Sequence, residues 1–323
     1  MIRYVIRRLL WACVLFFAIT VLTFLMFFVI PVNPAAMVAG KAATPAEIKH
    51  VEHLLYLDQP VWKQYLHYLN QLFVHHSLGY SYGTRQSVNS IIGRAAPITA
   101  SVVIGGAIMW MMVAVPVGIY SALRPRSKGD RVAMVSVLAG ISAHPVWIGY
   151  MLSLIVGYEL GLLPIQGYCN LRGASPGQSC GGPADWFTHM ILPWITFAIL
   201  YSAFYVRMIR SSVMETLNED YVRTARAKGA SERTVITRHV LRNAMLPVVT
   251  MLGMDIAVAL GGAVFVELVF GFPGLGGTAI NAVNQFDLPT ISGTVIFASL
   301  MVIMFNLIVD LLYAWIDPRI RLT

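Results

Sequence analysis

The chain has 323 residues, of which 57% are hydrophobic and only 12% charged, and it carries a net charge of +8 at neutral pH. Soluble domains are usually roughly 25% charged, and with a mean hydropathy of +0.69 this chain has too little polar surface to coat a water-soluble globule. The same values exclude a disordered chain, a fibrous protein and a disulfide-rich secreted scaffold. The basic residues cluster beside hydrophobic runs, a placement that fits membrane orientation and anionic lipid and argues against nucleic acid. Three cysteines without a CxxC spacing give no metal cluster.

A helix needs about 20 apolar residues to cross the hydrocarbon core. Six stretches reach that length: Leu9–Ile30, Ile98–Leu123, Val132–Val156, Met190–Met208, Leu246–Val266 and Ile291–Trp315. The fold class expected is therefore an all-α integral membrane protein with six transmembrane helices. Segment 1–30 starts with Arg3, Arg7 and Arg8 like a signal peptide. Its apolar run is longer than a signal core and no small-residue cleavage site precedes Pro31, so it reads as a retained anchor. Segment 31–97 is polar enough for water and reads as a small external cap. Pro45–Tyr56 and Val61–His76 have helical apolar spacing there, split by the turn signal Asp58-Gln59-Pro60. Segment 98–316 holds the other five spans, with a basic loop over 210–246, and 317–323 is a short tail.

Counting Lys and Arg orients the chain. With the N-terminus inside, 17 of the 23 fall on inner segments, and five of the six outside lie in the long 31–97 loop, where the rule is weak. Both termini are then cytoplasmic, in a multi-pass protein of the cytoplasmic membrane. Cys169 and Cys180 share the outer loop between the third and fourth spans, where the medium is oxidising; they form either a disulfide, the expected pairing, or two free thiols.

The loop 210–246 carries the strongest local signals. Asp220-Tyr221-Val222-Arg223-Thr224-Ala225-Arg226-Ala227-Lys228-Gly229 reads as a short basic helix stopped by a glycine suited to a left-handed cap. Ser231 then caps a second helix, Glu232–Asn243, that ends at Leu246-Pro247. Such a hairpin serves either as a docking lever for a partner or as a basic loop lying on anionic lipid. Within the spans, His144-Pro145 kinks the third helix, leaving His144 to face an aqueous path or to bond the freed carbonyls. Asp255 is the one carboxylate deep in a span, a costly group in hydrocarbon, and either meets a cationic group in an aqueous path or holds a helix in register. Glu267 near the outer end of its helix is expected to brace the turn Gly271–Gly277, whose glycines permit positive φ and close backbone approach.

Glu219 to Gly229 followed by Arg242-Asn243-Ala244-Met245-Leu246-Pro247 closely resembles the cytoplasmic coupling loop of binding-protein-dependent ABC transporter permeases, in the version of the dipeptide/oligopeptide permease family. The acidic residue that usually opens the family's short helix is Thr224 here, which removes one charged contact. Arg7-Arg8-Leu9-Leu10, Leu57-Asp58-Gln59-Pro60 with Gln64-Tyr65, Pro97-Ile98-Thr99-Ala100-Ser101, Val266-Glu267-Leu268-Val269-Phe270, Pro273-Gly274-Leu275-Gly276 and Asp317-Pro318-Arg319 resemble the family in the same order, over nearly the whole chain. Two features depart from it: the loop Cys169–Cys180 is longer than expected, and Asp255 stands at a position expected to be uncharged.

The resemblance implies a type I ABC importer permease fold and a role as the membrane subunit of an ATP-driven peptide importer working by alternating access. Its coupling residues would be Asp220, Tyr221, Arg223, Thr224, Ala225, Arg226, Ala227, Lys228 and Gly229. His144 and Asp255 are candidates for the path, and Glu267, Pro273, Gly274 and Gly276 for the outer gate turn. The implied partners are a second homologous permease subunit, two ATPase subunits or one fused ATPase, an extracytoplasmic peptide-binding protein and membrane lipid. ATP and Mg would be held by the ATPases and no cofactor by this chain, which contains no GxxxxGK[ST], no HExxH and no GxSxG. Nickel-chelate or glutathione is the alternative cargo. A channel or sensor, or an intramembrane enzyme pairing Asp255 with His144, is the alternative of another class.

Overall fold

The computed structural model describes residues 2–26, 34–39, 43–54, 56–173, 180–261 and 263–316. Pro31, most of the loop between Cys169 and Cys180 (174–179) and the tail 317–323 lie outside the described residues. The chain starts with α1 (Ile2–Phe24), followed by the short helices α2 (Pro34–Ala39), α3 (Pro45–Leu54) and α4 (Val61–Phe73). Thr44 and Glu47 form a reciprocal cap at the start of α3: the Thr44 backbone N–H and hydroxyl donate to Glu47 Oε2 at 2.7 and 2.9 Å. The helices predicted to reach Tyr56 and His76 stop at Leu54 and Phe73, and those two predicted end residues have positive φ, +58° and +48°.

Helix α4 leans on the C-terminal half of α1 through aromatic rings. The Phe24 centroid lies 5.2 Å from Tyr65 and 5.8 Å from Tyr68, and Phe16 lies 6.1 Å from Phe73. The segment after α4 is pinned further along the chain. Asp287 is buried and accepts from the Ser81 hydroxyl, the Tyr82 N–H (2.9 Å) and the Thr290 hydroxyl (2.7 Å).

Helices α5 (Val88–Leu123) and α8 (Pro183–Leu217) form the spine of the molecule. Both are longer than their apolar runs. Small residues let them approach closely: a Cβ on Gly106 would come within 2.9 Å of Phe197 Cβ, and one on Gly118 within 2.8 Å of Ile209 Cβ. Trp110, Tyr205 and Ile209 fill the interface and are fully buried.

The third predicted span is two helices. α6 (Lys128–Ser142) and α7 (Pro145–Leu152), the latter extended by a wide π-helical turn (Ser153–Glu159), meet at 104°. Proline pushes the residue before it out of the α region, and here Ala143 and His144 are both extended, so the helix breaks fully and restarts with Pro145 in its first turn.

After α8 come α9 (Asp220–Ala227), α10 (Glu232–Thr234), a π-helical stretch (Val235–Val240), α11 (Leu241–Ala244) and α12 (Leu246–Leu260). The fifth predicted span, Leu246–Val266, stops at Leu260; the chain breaks there and resumes as α13 (Val264–Phe270). α14 (Leu275–Asn284) follows at 82° to α13, and α15 (Leu288–Ile316) runs back beside α1 and α12. Arg8 pairs with Asp310 at 2.9 Å and joins α1 to α15. Among the described residues four helices (in α1, α5, α8 and α15) are long and apolar enough to cross a membrane singly, and three bent pairs reach that length together. The six predicted stretches fall on α1, α5, the α6–α7 pair, α8, α12 and α15, while the bent α13–α14 pair lies mostly beyond them.

Candidate coupling hairpin and transport path

Helix α8 has 35 residues, about 52 Å at 1.5 Å per residue, against a hydrocarbon core of about 30 Å. The apolar run of α8 ends at Met208, and the hairpin follows from the more polar end beyond it, which carries Arg210 and Glu215. Asn218 caps α8, and Glu219 takes an extended conformation that turns the chain into α9. On α9 the pattern is two-faced. Val222 and Ala225 are buried against the second arm, whereas Asp220, Tyr221, Arg223, Thr224, Arg226, Ala227 and Lys228 are exposed. Ala225 therefore belongs to the packing of the hairpin and leaves the outer face to its neighbours.

Gly229 ends α9 with a φ of +80°, and its N–H donates to the Arg226 carbonyl at 2.9 Å. The Ser231 hydroxyl accepts from the Thr234 N–H at 3.4 Å and starts the second arm. Sequence reading gave that arm as one regular helix, but its middle is π-helical. The wider turn lets Val235 and Val240, five residues apart, both be fully buried in the core that holds Val222 and Ala244. Polar ties close the hairpin: Asn243 Nδ2 donates to Tyr221 Oη at 2.8 Å, and Arg226 pairs with Glu232 at 2.8 Å.

Below the hairpin lies a brace that charge counting missed. Asp130 at the start of α6 is buried and accepts from Arg210 Nε (2.8 Å) and Nη2 (3.1 Å), from the Arg126 N–H (2.8 Å) and from the Ser121 hydroxyl. One carboxylate thus joins α5, α6 and α8 where α8 leaves the bundle. The signal was present as a lone acid inside the basic run 124–131, but nothing local ties it to Arg210, 80 residues away.

At the opposite end of α8 and α12, Glu267 is buried and accepts from the Thr99 hydroxyl (2.6 Å) and the Gly277 N–H (3.0 Å). Thr99 in turn accepts from the Leu275 N–H at 2.8 Å. Of the turn glycines, Gly271 has the positive φ, +66°. Gly274 and Gly276 are needed for space: a Cβ would stand 2.3 Å from Glu267 Oε1 in the first case and 2.6 Å from Val264 Cα in the second. Pro273 is exposed on the same turn. Nearby, Cys169 and Cys180 are bonded, with Cα atoms 5.5 Å apart, and His189 lies 3.5 Å from Cys169 Sγ.

The two candidates for the path have separate partners. His144 caps α7 through Nδ1, which accepts from the Val146 N–H at 3.3 Å, and its ring meets the edge of Phe265 at 5.4 Å. Asp255 Oδ2 accepts from Tyr205 Oη at 2.6 Å, between α12 and α8. A broad apolar groove of about 950 Å³ opens at the α6–α7 bend, lined by Pro116, Val117, Gly140, Trp147 and Ala203 among others.

The family described as binding-protein-dependent transport system inner membrane component matches residues 114–322, and its N-terminal membrane component matches 1–103. The chain belongs to this permease family. The permease is 38% identical over 339 residues to the dipeptide transport system permease protein DppB of Escherichia coli strain K12, covering 99% of each chain. It is 37% identical over 321 residues to the glutathione transport system permease protein GsiC of the same strain, again with 99% of each covered. Among solved structures, the MetNI methionine ABC transporter in an inward-facing conformation matches with a TM-score of 0.55 at 14% identity, over 70% of this permease and 96% of that chain. The permease thus has the type I ABC importer fold, and the hairpin, the Asp130 brace and the Glu267 turn are features of its two ends.

Proposed function

We propose that this permease is one of two membrane subunits of an ATP-driven importer that moves di- or oligopeptides into the cytoplasm of a prokaryote by alternating access. The observation that carries the reading is the α9 hairpin: a short polar helix, braced from inside by Val222 and Ala225, is carried at the end of the 35-residue helix α8. A lipid-bound loop would turn an apolar face outward, whereas the exposed face of α9 is charged and polar. Both termini and the hairpin are cytoplasmic in this reading, which agrees with the basic bias of those segments. ATP and Mg are bound by two ATPase subunits, or one fused ATPase, seated on α9, and a binding protein delivers peptide to the Glu267 turn. The α6–α7 groove supplies apolar surface for the second permease subunit.

Peptide cargo is supported by the full-length likeness to DppB. Likeness to GsiC at nearly the same identity supports glutathione, itself a tripeptide, as the second cargo. Proteoliposomes holding the permease pair, with and without the ATPases and binding protein, test the proposal. The expected result is uptake of labelled peptide that requires ATP and all components. Passive flux through the permease pair alone would replace the importer with a channel.

A further inference from the structure

A carboxylate in a membrane span is costly unless something compensates its charge. In and beside the spans, Asp130 has Arg210, Asp310 has Arg8, and Glu267 and Asp287 each gather several donors. Asp255 has one neutral donor, the Tyr205 phenol, and no cation among the described residues. Arg207, two residues beyond Tyr205, places its guanidinium over Phe204 at 5.8 Å, and His144 faces Phe265.

The arrangement also fixes which way the carboxylate points. Tyr205 is fully buried and sits 6.1 Å from Trp110, which stacks on Tyr201 at 4.5 Å. Its hydroxyl therefore holds Oδ2 toward the core. Oδ1 receives no hydrogen bond among the described residues, and it is not one of the fully buried side-chain atoms there that lack one. Oδ1 is therefore open to a visitor. A half-buried carboxylate with one oxygen pinned and the other open, and with no cation of its own, is built to receive one.

We propose that Asp255 is a cargo subsite that receives the N-terminal ammonium of a peptide in transit, with Tyr205 as its positioning residue. The inference rests on the peptide-importer reading and deepens it. It fits either cargo, since a dipeptide and glutathione both carry a primary ammonium beside their carboxylates. An ammonium–carboxylate hydrogen bond at a partly dry site is expected to favour the charged amine over its acetylated form by about tenfold or more.

The test uses the solubilised permease–ATPase complex without binding protein, so that delivery does not mask the subsite. Equilibrium dialysis compares a labelled dipeptide with its N-acetyl analogue on wild type, Asp255→Asn, Asp255→Glu and Tyr205→Phe. Wild type and Asp255→Glu should prefer the free amine by about tenfold or more. Asp255→Asn should lose the preference at unchanged complex yield, and Tyr205→Phe should weaken it in part. Three results overturn the inference: a preference that survives Asp255→Asn, a permease pair that dissociates with that variant, or a lowered melting temperature as its sole effect. The second would make the missing cation the partner subunit's, and the third would make Asp255 a helix pin. Uptake by the reconstituted wild-type system separates the two levels. If wild type neither binds nor imports peptide, the importer reading falls and takes the subsite with it; if it imports while Asp255→Asn keeps the preference, the subsite falls alone.

Discussion

Gly229 has open space where a Cβ would stand, so a substitution there meets backbone strain and nothing else. For a β-branched residue at a φ of +80° that strain is at least about 1–2 kcal/mol and acts on the turn between the two arms. Gly229→Val should therefore leave the membrane bundle inserted and folded while displacing α9, and co-purification of the ATPases and peptide uptake should both fall. Gly229→Asn, which tolerates a left-handed turn, should restore much of both; equal loss in the two variants would mean that side-chain bulk, and not the backbone, decides. Asp130 behaves differently because its charge is buried. Arg210→Ala leaves that charge without its cation and should destabilise the protein by about 3–5 kcal/mol. The double variant Asp130→Asn with Arg210→Gln should unfold at a higher temperature than Arg210→Ala alone, since it removes the stranded charge; thermal unfolding of the solubilised protein reads the difference.

For the hairpin as an element, the two-faced pattern of α9 sets which positions can touch a partner. Cysteines at Thr224 or Ala227 should crosslink to the groove of an ATPase subunit, and one at Ala225 should not, because its side chain is turned onto the second arm. Crosslinks that form from the loop 124–131 and not from the hairpin would assign the partner contact to that loop. The hairpin was legible because each of its signals is local: a basic helix, a glycine cap, a serine cap and a closing Leu-Pro all lie within 28 residues. The π-helical stretch was not, because it arises from burying Val235 and Val240 together against α8 and α9, which no window along one helix can show.

Across the whole molecule, the bonded pair Cys169 and Cys180 closes the loop between the π-helical end of the third span and α8. Intact mass without reductant should show one alkylatable thiol, Cys13, and three after reduction; three without reductant would remove the bridge. Replacing both cysteines should cost about 2–3 kcal/mol, as expected for a short closed loop, and leave the spine of α5 and α8 assembled, since its glycine contacts lie elsewhere.

Composition and the spacing of apolar runs determined that this is a helical membrane protein, roughly where its spans lie and which loop is the hairpin, because the cost of placing backbone and charge in hydrocarbon is registered residue by residue along the chain. His144-Pro145 marked a weak point in the third span, but a kink and a 104° break look alike until α7 packs beside α13. The tertiary structure alone decided the pairings that give the polar residues their work: Asp130 with Arg210, Tyr205 with Asp255, Thr99 with Glu267, at separations of 80, 50 and 168 residues. A sequence states that such a group is costly where it stands. Which distant donor satisfies it depends on how the helices cross, and that is set by the packing of α5 against α8 through glycines whose value appears only when a neighbour's side chain occupies the missing Cβ.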